Sequence, residues 1–142
     1  MATTRKADAR WEGPLAEGKG QVELSSSQVA TFDVSWPSRA ESPNGKTSPE
    51  ELIAAAHSSC YAMALSHELA QAGNPPTSVE VSAEVDFTPG TGITGIRLSV
   101  TGHVDGIDQA AFEQAANAAK DGCPVSQALK AVPITLTSAT LA

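Results

Sequence analysis

Thr47-Ser48-Pro49-Glu50-Glu51-Leu52-Ile53-Ala54-Ala55-Ala56-His57-Ser58-Ser59-Cys60-Tyr61-Ala62-Met63-Ala64-Leu65-Ser66 is the stretch on which the reading of this chain turns. Ser48 is a helix-capping residue, and Pro49 suits the first helical position, where its missing N–H costs nothing. Glu50 and Glu51 then stand at the positive end of the helix dipole, and Glu51 follows Ser48 by the spacing of a capping box. No breaker interrupts the run before Gly73-Asn74-Pro75-Pro76, which predicts a helix unusually long for a small domain. Its alanines permit close backbone approach, so a central helix buried against both a sheet and another helix is expected. Cys60 falls in the middle of it.

Upstream, the chain reads as strands joined by turns. Ala7 to Trp11, Gly20 to Ser25 and Gln28 to Ser35 hold short alternating runs, separated by Gly13-Pro14 and by Ser25-Ser26-Ser27. A small antiparallel sheet is predicted. From Trp36 to Thr47 the periodicity is lost and Pro37, Pro43, Asn44 and Gly45 accumulate, which predicts a surface loop carrying Arg39 toward the helix.

Downstream, Val79, Val81, Ala83, Val85 and Phe87 alternate, and Ile96, Leu98, Val100 and Val104 follow beyond Gly92 and Gly95. That pattern is a hairpin. Asp108 should cap a helix through Phe112 and Ala119 to Lys120, with Gly122 stopping it. Pro124 opens a short helix, and Ile134, Leu136 and Ala139 form a final strand. With no repeat and no linker, the expectation is one α+β domain over residues 1–142.

Composition narrows the function. Hydrophobic residues make up 41% of the chain but aromatics only 4%, so the core must be built mainly from Val, Leu, Ile and Ala. Sixteen acidic against nine basic residues give a formal charge of -7, a surface that repels nucleic acid. No stretch approaches the roughly 20 apolar residues that span a bilayer. No apolar signal-like segment accompanies Arg5-Lys6 at the start, so a cytoplasmic setting is expected.

Cys60 and Cys123 are the two cysteines. Taken alone they allow three readings: two inert packed thiols, a redox pair, or metal ligands. The absence of Cys-x-x-Cys and of clustered His or Asp weighs against metal. A redox thiol reacts as thiolate and needs a nearby cation. Arg39 is the candidate, with Glu50 as the carboxylate that could hold it; the bland alternative is a solvated loop arginine and a favourable first-turn charge. Ten residues separate Glu50 from Cys60, about 15 Å along a straight helix at about 1.5 Å per residue. If both residues serve the thiol, either the helix breaks or a second subunit completes the site.

Cys123-Pro124-Val125-Ser126-Gln127-Ala128-Leu129, taken with Thr47 to Ser66, resembles the two cysteine motifs of the OsmC and organic hydroperoxide resistance family. His57 and the alanine-rich segment look closer to the OsmC branch. The resemblance implies an intertwined α+β homodimer, with antiparallel sheets around long central helices and its sites at the interface. It implies cysteine chemistry without metal, haem or flavin. Cys60 matches the peroxidatic residue and Cys123 the resolving one; Arg39 matches the arginine that activates the thiolate and Glu50 its partner. The implied substrates are organic hydroperoxides in preference to hydrogen peroxide. The implied reductant is a dithiol such as dihydrolipoamide or a lipoylated protein.

Other residues carry both a functional and a packing reading. His57 shares a helix face with Cys60, as an imidazolium partner or as a packed, hydrogen-bonded histidine. Tyr61 and Met63 could line a pocket or fill the core; Trp11, Trp36, Phe87 and Phe112 read as packing residues. His67 and His103 make no metal cluster with His57. A compact pocket lined by Ala, Leu and Met is expected. Two competing functions remain: thiol–disulfide exchange, and a non-enzymatic redox-stress sensor.

Overall fold

Six strands and four helices account for the ordered elements of the computed structural model, which describes residues 1–142. Their contacts fall into two compact units, residues 1–52 and residues 53–142. In the first unit, β1 (Asp8–Glu12), β2 (Lys19–Glu23) and β3 (Thr31–Val34) form an antiparallel sheet in that order. Asp8 pairs with Glu23, and Gly20 pairs with Val34 on the other edge of β2. A Cβ on Gly20 would stand 2.6 Å from Cε3 of Trp11, so the bare backbone is what seats the indole. Trp11 Nε1 donates to the Gly13 carbonyl at 2.9 Å and fixes the ring's orientation.

The stretch predicted as a loop after Trp36 contains a short helix, α1 (Trp36–Ala40). Ser35 caps it by accepting the Ser38 N–H at 3.2 Å, and Pro37 stands in the first turn. Five residues are too few for a helical period to register in the sequence; only the cap betrays the helix. The helix ends with Arg39 in its last turn.

α2 (Pro49–Gln71) runs as one unbroken helix of 23 residues. Ser48 Oγ accepts the Glu51 N–H at 3.1 Å, while Thr47 Oγ1 donates to Glu51 Oε1 at 2.6 Å. Beyond Ile53 its buried residues are His57, Tyr61, Leu65 and Leu69, a single stripe at four-residue spacing. Ala55, Ala56 and Ser59 stay exposed, and Met63 is 68% exposed. Burial on two sides is therefore not realised within this chain.

The second unit holds β4 (Ser78–Thr88), β5 (Gly92–His103) and β6 (Ile134–Leu141) in that order. β4 and β5 are the predicted hairpin, with Val81 opposite Val100 and Ala83 opposite Leu98. β6 joins β5 in parallel, Leu136 beside Leu98, so this sheet is mixed. A parallel return needs a long crossover, supplied by α3 (Gln109–Gly122) and α4 (Pro124–Ala128). Asp108 caps α3 by accepting the Ala111 N–H at 2.8 Å. Phe112 lies against Gly102, where a Cβ would come within 2.3 Å of the ring.

The core joins Tyr61, Leu65 and Leu69 to Leu98 and Val100, and to Phe112, Ala116, Ala119 and Cys123. Each large side chain buried there contributes about 1.5–3 kcal/mol. No helix is long and apolar enough to cross a membrane.

Candidate active site

Cys123 occupies the joint between two helices. α3 ends on Gly122, and Cys123 then takes an extended conformation (φ -59, ψ 127), as a residue before proline must. Its N–H still reaches back to Ala119 O at 2.9 Å, while its carbonyl accepts the Gln127 N–H at 3.0 Å and opens α4. The side chain is thereby pinned from both directions. It points at α2, where the Cys123 thiol donates to Cys60 Sγ at 3.2 Å.

Both cysteines are free thiols, and they differ in access. Cys60 is half-buried, whereas Cys123 is fully buried. Burial pushes the Cys60 thiol above its ordinary 9.0; a backbone N–H bond from Val125 pulls the other way, and Cys123 pushes it up again through its hydrogen bond and charge. Thus the pair by itself keeps Cys60 protonated at neutral pH. A nearby cation would favour the thiolate.

Within the first unit, Glu50 holds Arg39. The guanidinium gives Nε to Glu50 Oε1 at 3.0 Å and Oε2 at 3.3 Å, and Nη2 to Oε1 at 2.8 Å. Glu50 is only 6% exposed, so its charge needs this partner; an unpaired buried carboxylate would be costly. Arg39 is accordingly a clamped residue and not a solvated loop side chain. The structure brings together Arg39 with Glu50 and Cys60 with Cys123, one pair in each unit.

A cavity of about 300 Å³ adjoins Arg39, lined by Trp11, Leu15, Val34, Ser35, Trp36 and Pro49. Both tryptophans of the chain face this one cavity, and Trp11 is 42% exposed. Trp11 packs over Gly20 as expected, and both indoles also wall this cavity. Apart from Pro49 at the start of α2, its walls come from the first sheet, the loop at Leu15 and α1.

Two further residues lie beside the thiols. His57 is fully buried, its Nε2 is 2.7 Å from Ser126 Oγ, and its Nδ1 has no partner. Burial holds the ring's pKa below the usual 6.5 and keeps it neutral. Ser126 was visible in the sequence only as part of the second cysteine motif; its pairing with His57 lies across distant chain segments and leaves no local signal. Tyr61 is a core residue whose hydroxyl donates to Ala116 O at 2.8 Å, and burial raises its pKa. No group of three His, Cys, Asp or Glu side chains converges as a metal ligand set.

A family profile described as OsmC-like protein matches residues 42–137, a span that contains Glu50, Cys60 and Cys123 and begins just after Arg39. The chain is 42% identical over 134 residues to the peroxiredoxin OsmC of Escherichia coli (strain K12), covering 92% of this chain and 93% of that protein. It is 29% identical over 104 residues to the organic hydroperoxide resistance protein OhrB of Bacillus subtilis (strain 168), covering 72% and 76% respectively. The crystal structure of that OhrB superposes with a TM-score of 0.76 at 27% identity, over 99% of this chain and 98% of that one.

Proposed function

Because this chain belongs to the OsmC-like protein family, we propose that it is a thiol peroxidase that reduces organic hydroperoxides to alcohols through Cys60 and Cys123. The observation that carries the reading is the pairing of a half-buried thiol with a sealed one 3.2 Å away. In the proposed cycle the Cys60 thiolate attacks the distal peroxide oxygen. The O–O bond breaks, the alkoxide leaves and takes up a proton as alcohol, and Cys60 becomes a sulfenic acid. The Cys123 sulfur then attacks Cys60 Sγ, the S–O bond breaks, and hydroxide departs with the Cys123 proton as water. An external dithiol, dihydrolipoamide or a lipoylated protein, reduces the disulfide and is itself oxidised to a disulfide.

Arg39 supplies the positive charge that the cysteine pair lacks, favouring thiolate before attack and the departing oxygen during it. Glu50 keeps the guanidinium in one orientation. Since α2 has no break, the proposed assembly is a homodimer in which a partner copy completes each site, and the exposed Ala55, Ala56, Ser59 and Met63 face fits a close helix contact. The two-tryptophan cavity takes the organic end of the substrate, a burial that hydrogen peroxide cannot exploit. Residues 1–142 act as one peroxidase domain in the cytoplasm.

Steady-state consumption of cumene hydroperoxide with dihydrolipoamide as the reductant tests this reading. The wild-type protein should turn over repeatedly and Cys60→Ser not at all. Normal turnover in Cys60→Ser would overturn the assignment.

A further inference from the structure

α2 and α4 are joined by two polar rungs. Cys60 meets Cys123 on one, and His57 meets Ser126 on the other. His57 and Cys60 stand three apart on one face of α2, while Ser126 on α4 follows by three residues Cys123, the N-cap just before that helix, so the two rungs are neighbours. The hydroperoxide cycle uses the first rung and leaves the second without a task.

The second rung is chemically odd for a core. His57 is fully buried and Ser126 is 5% exposed, yet an apolar pair of the same shape would be about as stable at such a place. Nδ1 of His57 is buried without a partner. A neutral ring in that position carries its proton on Nε2, since a buried N–H without an acceptor is the costlier arrangement. Nε2–H therefore donates to Ser126 Oγ, a bond with a fixed length and direction that an apolar contact lacks.

Position is what α4 lacks on its own. Five residues cannot sustain a helix unaided, and Cys123 stands just before it as its N-cap. Yet the sulfurs must approach from 3.2 Å to the roughly 2.05 Å of a disulfide. We propose that His57 and Ser126 are positioning residues whose hydrogen bond holds Cys123 within reach of Cys60, so that the sulfenic acid closes to a disulfide before a second hydroperoxide oxidises it. The proposal rests on the two-cysteine cycle above. It concerns the partition of the sulfenic acid, and leaves the first oxidation of Cys60 unchanged.

The test separates those two steps in Ser126→Ala and Ser126→Thr, both handled as full-length reduced protein. Single-turnover oxidation of Cys60 by cumene hydroperoxide should stay within about twofold of wild type in both, while disulfide closure in Ser126→Ala slows about tenfold or more, as a misplacement near 1 Å would cause. Sulfinic Cys60, counted by mass spectrometry per turnover, should rise by a similar factor; Ser126→Thr keeps a hydroxyl and should restore closure. His57→Leu against His57→Gln repeats the comparison from α2, Gln preserving a donor where Nε2 lies, and replaces the serine pair if either member does not fold. Closure and sulfinic yield at wild-type levels in Ser126→Ala or His57→Leu would overturn the proposal. If the wild-type protein itself forms no Cys60–Cys123 disulfide, it is the peroxidase reading that fails, and the positioning role falls with it.

Discussion

The sulfurs of Cys60 and Cys123 lie 3.2 Å apart, the first half-buried and the second sealed from solvent. In the proposed cycle this asymmetry divides the labour between two otherwise identical groups. In that cycle a hydroperoxide reaches Cys60, while Cys123 meets only what Cys60 has become. The distance is short enough for closure without rearrangement of α2 or the sheet, and the core stripe behind Cys60 keeps that helix in place.

Cys123→Ser should therefore still consume organic hydroperoxide, one equivalent per chain when peroxide is not in excess, and then stall without a disulfide. Mass spectrometry would show Cys60 as a sulfenic acid advancing to sulfinic acid with excess peroxide. Repeated turnover with dihydrolipoamide at the wild-type rate would remove Cys123 from the cycle.

Arg39→Met should slow Cys60 oxidation at neutral pH by about 10²- to 10³-fold, the scale of one lost oxyanion donor, about 2.7–4 kcal/mol. The pH profile adds the sign. Burial already pushes the Cys60 pKa up, so losing the cation should shift the rise of the oxidation rate toward alkaline pH, with recovery as thiolate forms. A profile superimposable on that of wild type would deny Arg39 its role.

Both tryptophans face the cavity beside Arg39, so intrinsic fluorescence reports directly on its occupancy. In Cys60→Ser, cumene hydroperoxide should quench the emission saturably and hydrogen peroxide at equal concentration should not. Trp11→Ala should raise KM for cumene hydroperoxide several-fold, and Gly20→Ala should act likewise because its Cβ displaces the Trp11 ring. Unchanged KM in both variants would move the substrate elsewhere.

His57 gives stability a pH dependence of definite sign. Its folded-state pKa lies below the usual 6.5, so the unfolded chain takes up a proton that the folded ring refuses. The stability is intact above pH 6.5 and is lost as pH falls from there through the folded-state value. The midpoint of thermal unfolding should drop as pH falls below about 6.5, and His57→Gln should flatten that slope. An equal slope in His57→Gln would assign the effect to carboxylates.

What the sequence disclosed was local. Ser48, Pro49 and the unbroken run to Gln71 define α2 from neighbouring residues alone, and the alternation of Val79 to Phe87 does the same for β4. The Arg39–Glu50 pair was within reach of reasoning because Arg39 lies on the segment that leads into α2, whose first turn holds Glu50. The cavity was not, since it depends on Trp11 lying over Gly20, a contact made by strand register and by a bare backbone. The bond from His57 to Ser126 was hidden for the same reason: the α3 crossover brings together residues that share no segment. Even the parallel entry of β6 followed from that crossover and from no property of Ile134 to Leu141 themselves.

The most direct measurement of the central claim is stopped-flow oxidation of the reduced protein by matched concentrations of cumene hydroperoxide, tert-butyl hydroperoxide and hydrogen peroxide, with rapid quenching and mapping of disulfides. The expected result is faster oxidation by both organic substrates than by hydrogen peroxide, followed by a Cys60–Cys123 disulfide that dihydrolipoamide removes. Faster oxidation by hydrogen peroxide, or continued turnover in which that disulfide never forms, would contradict it.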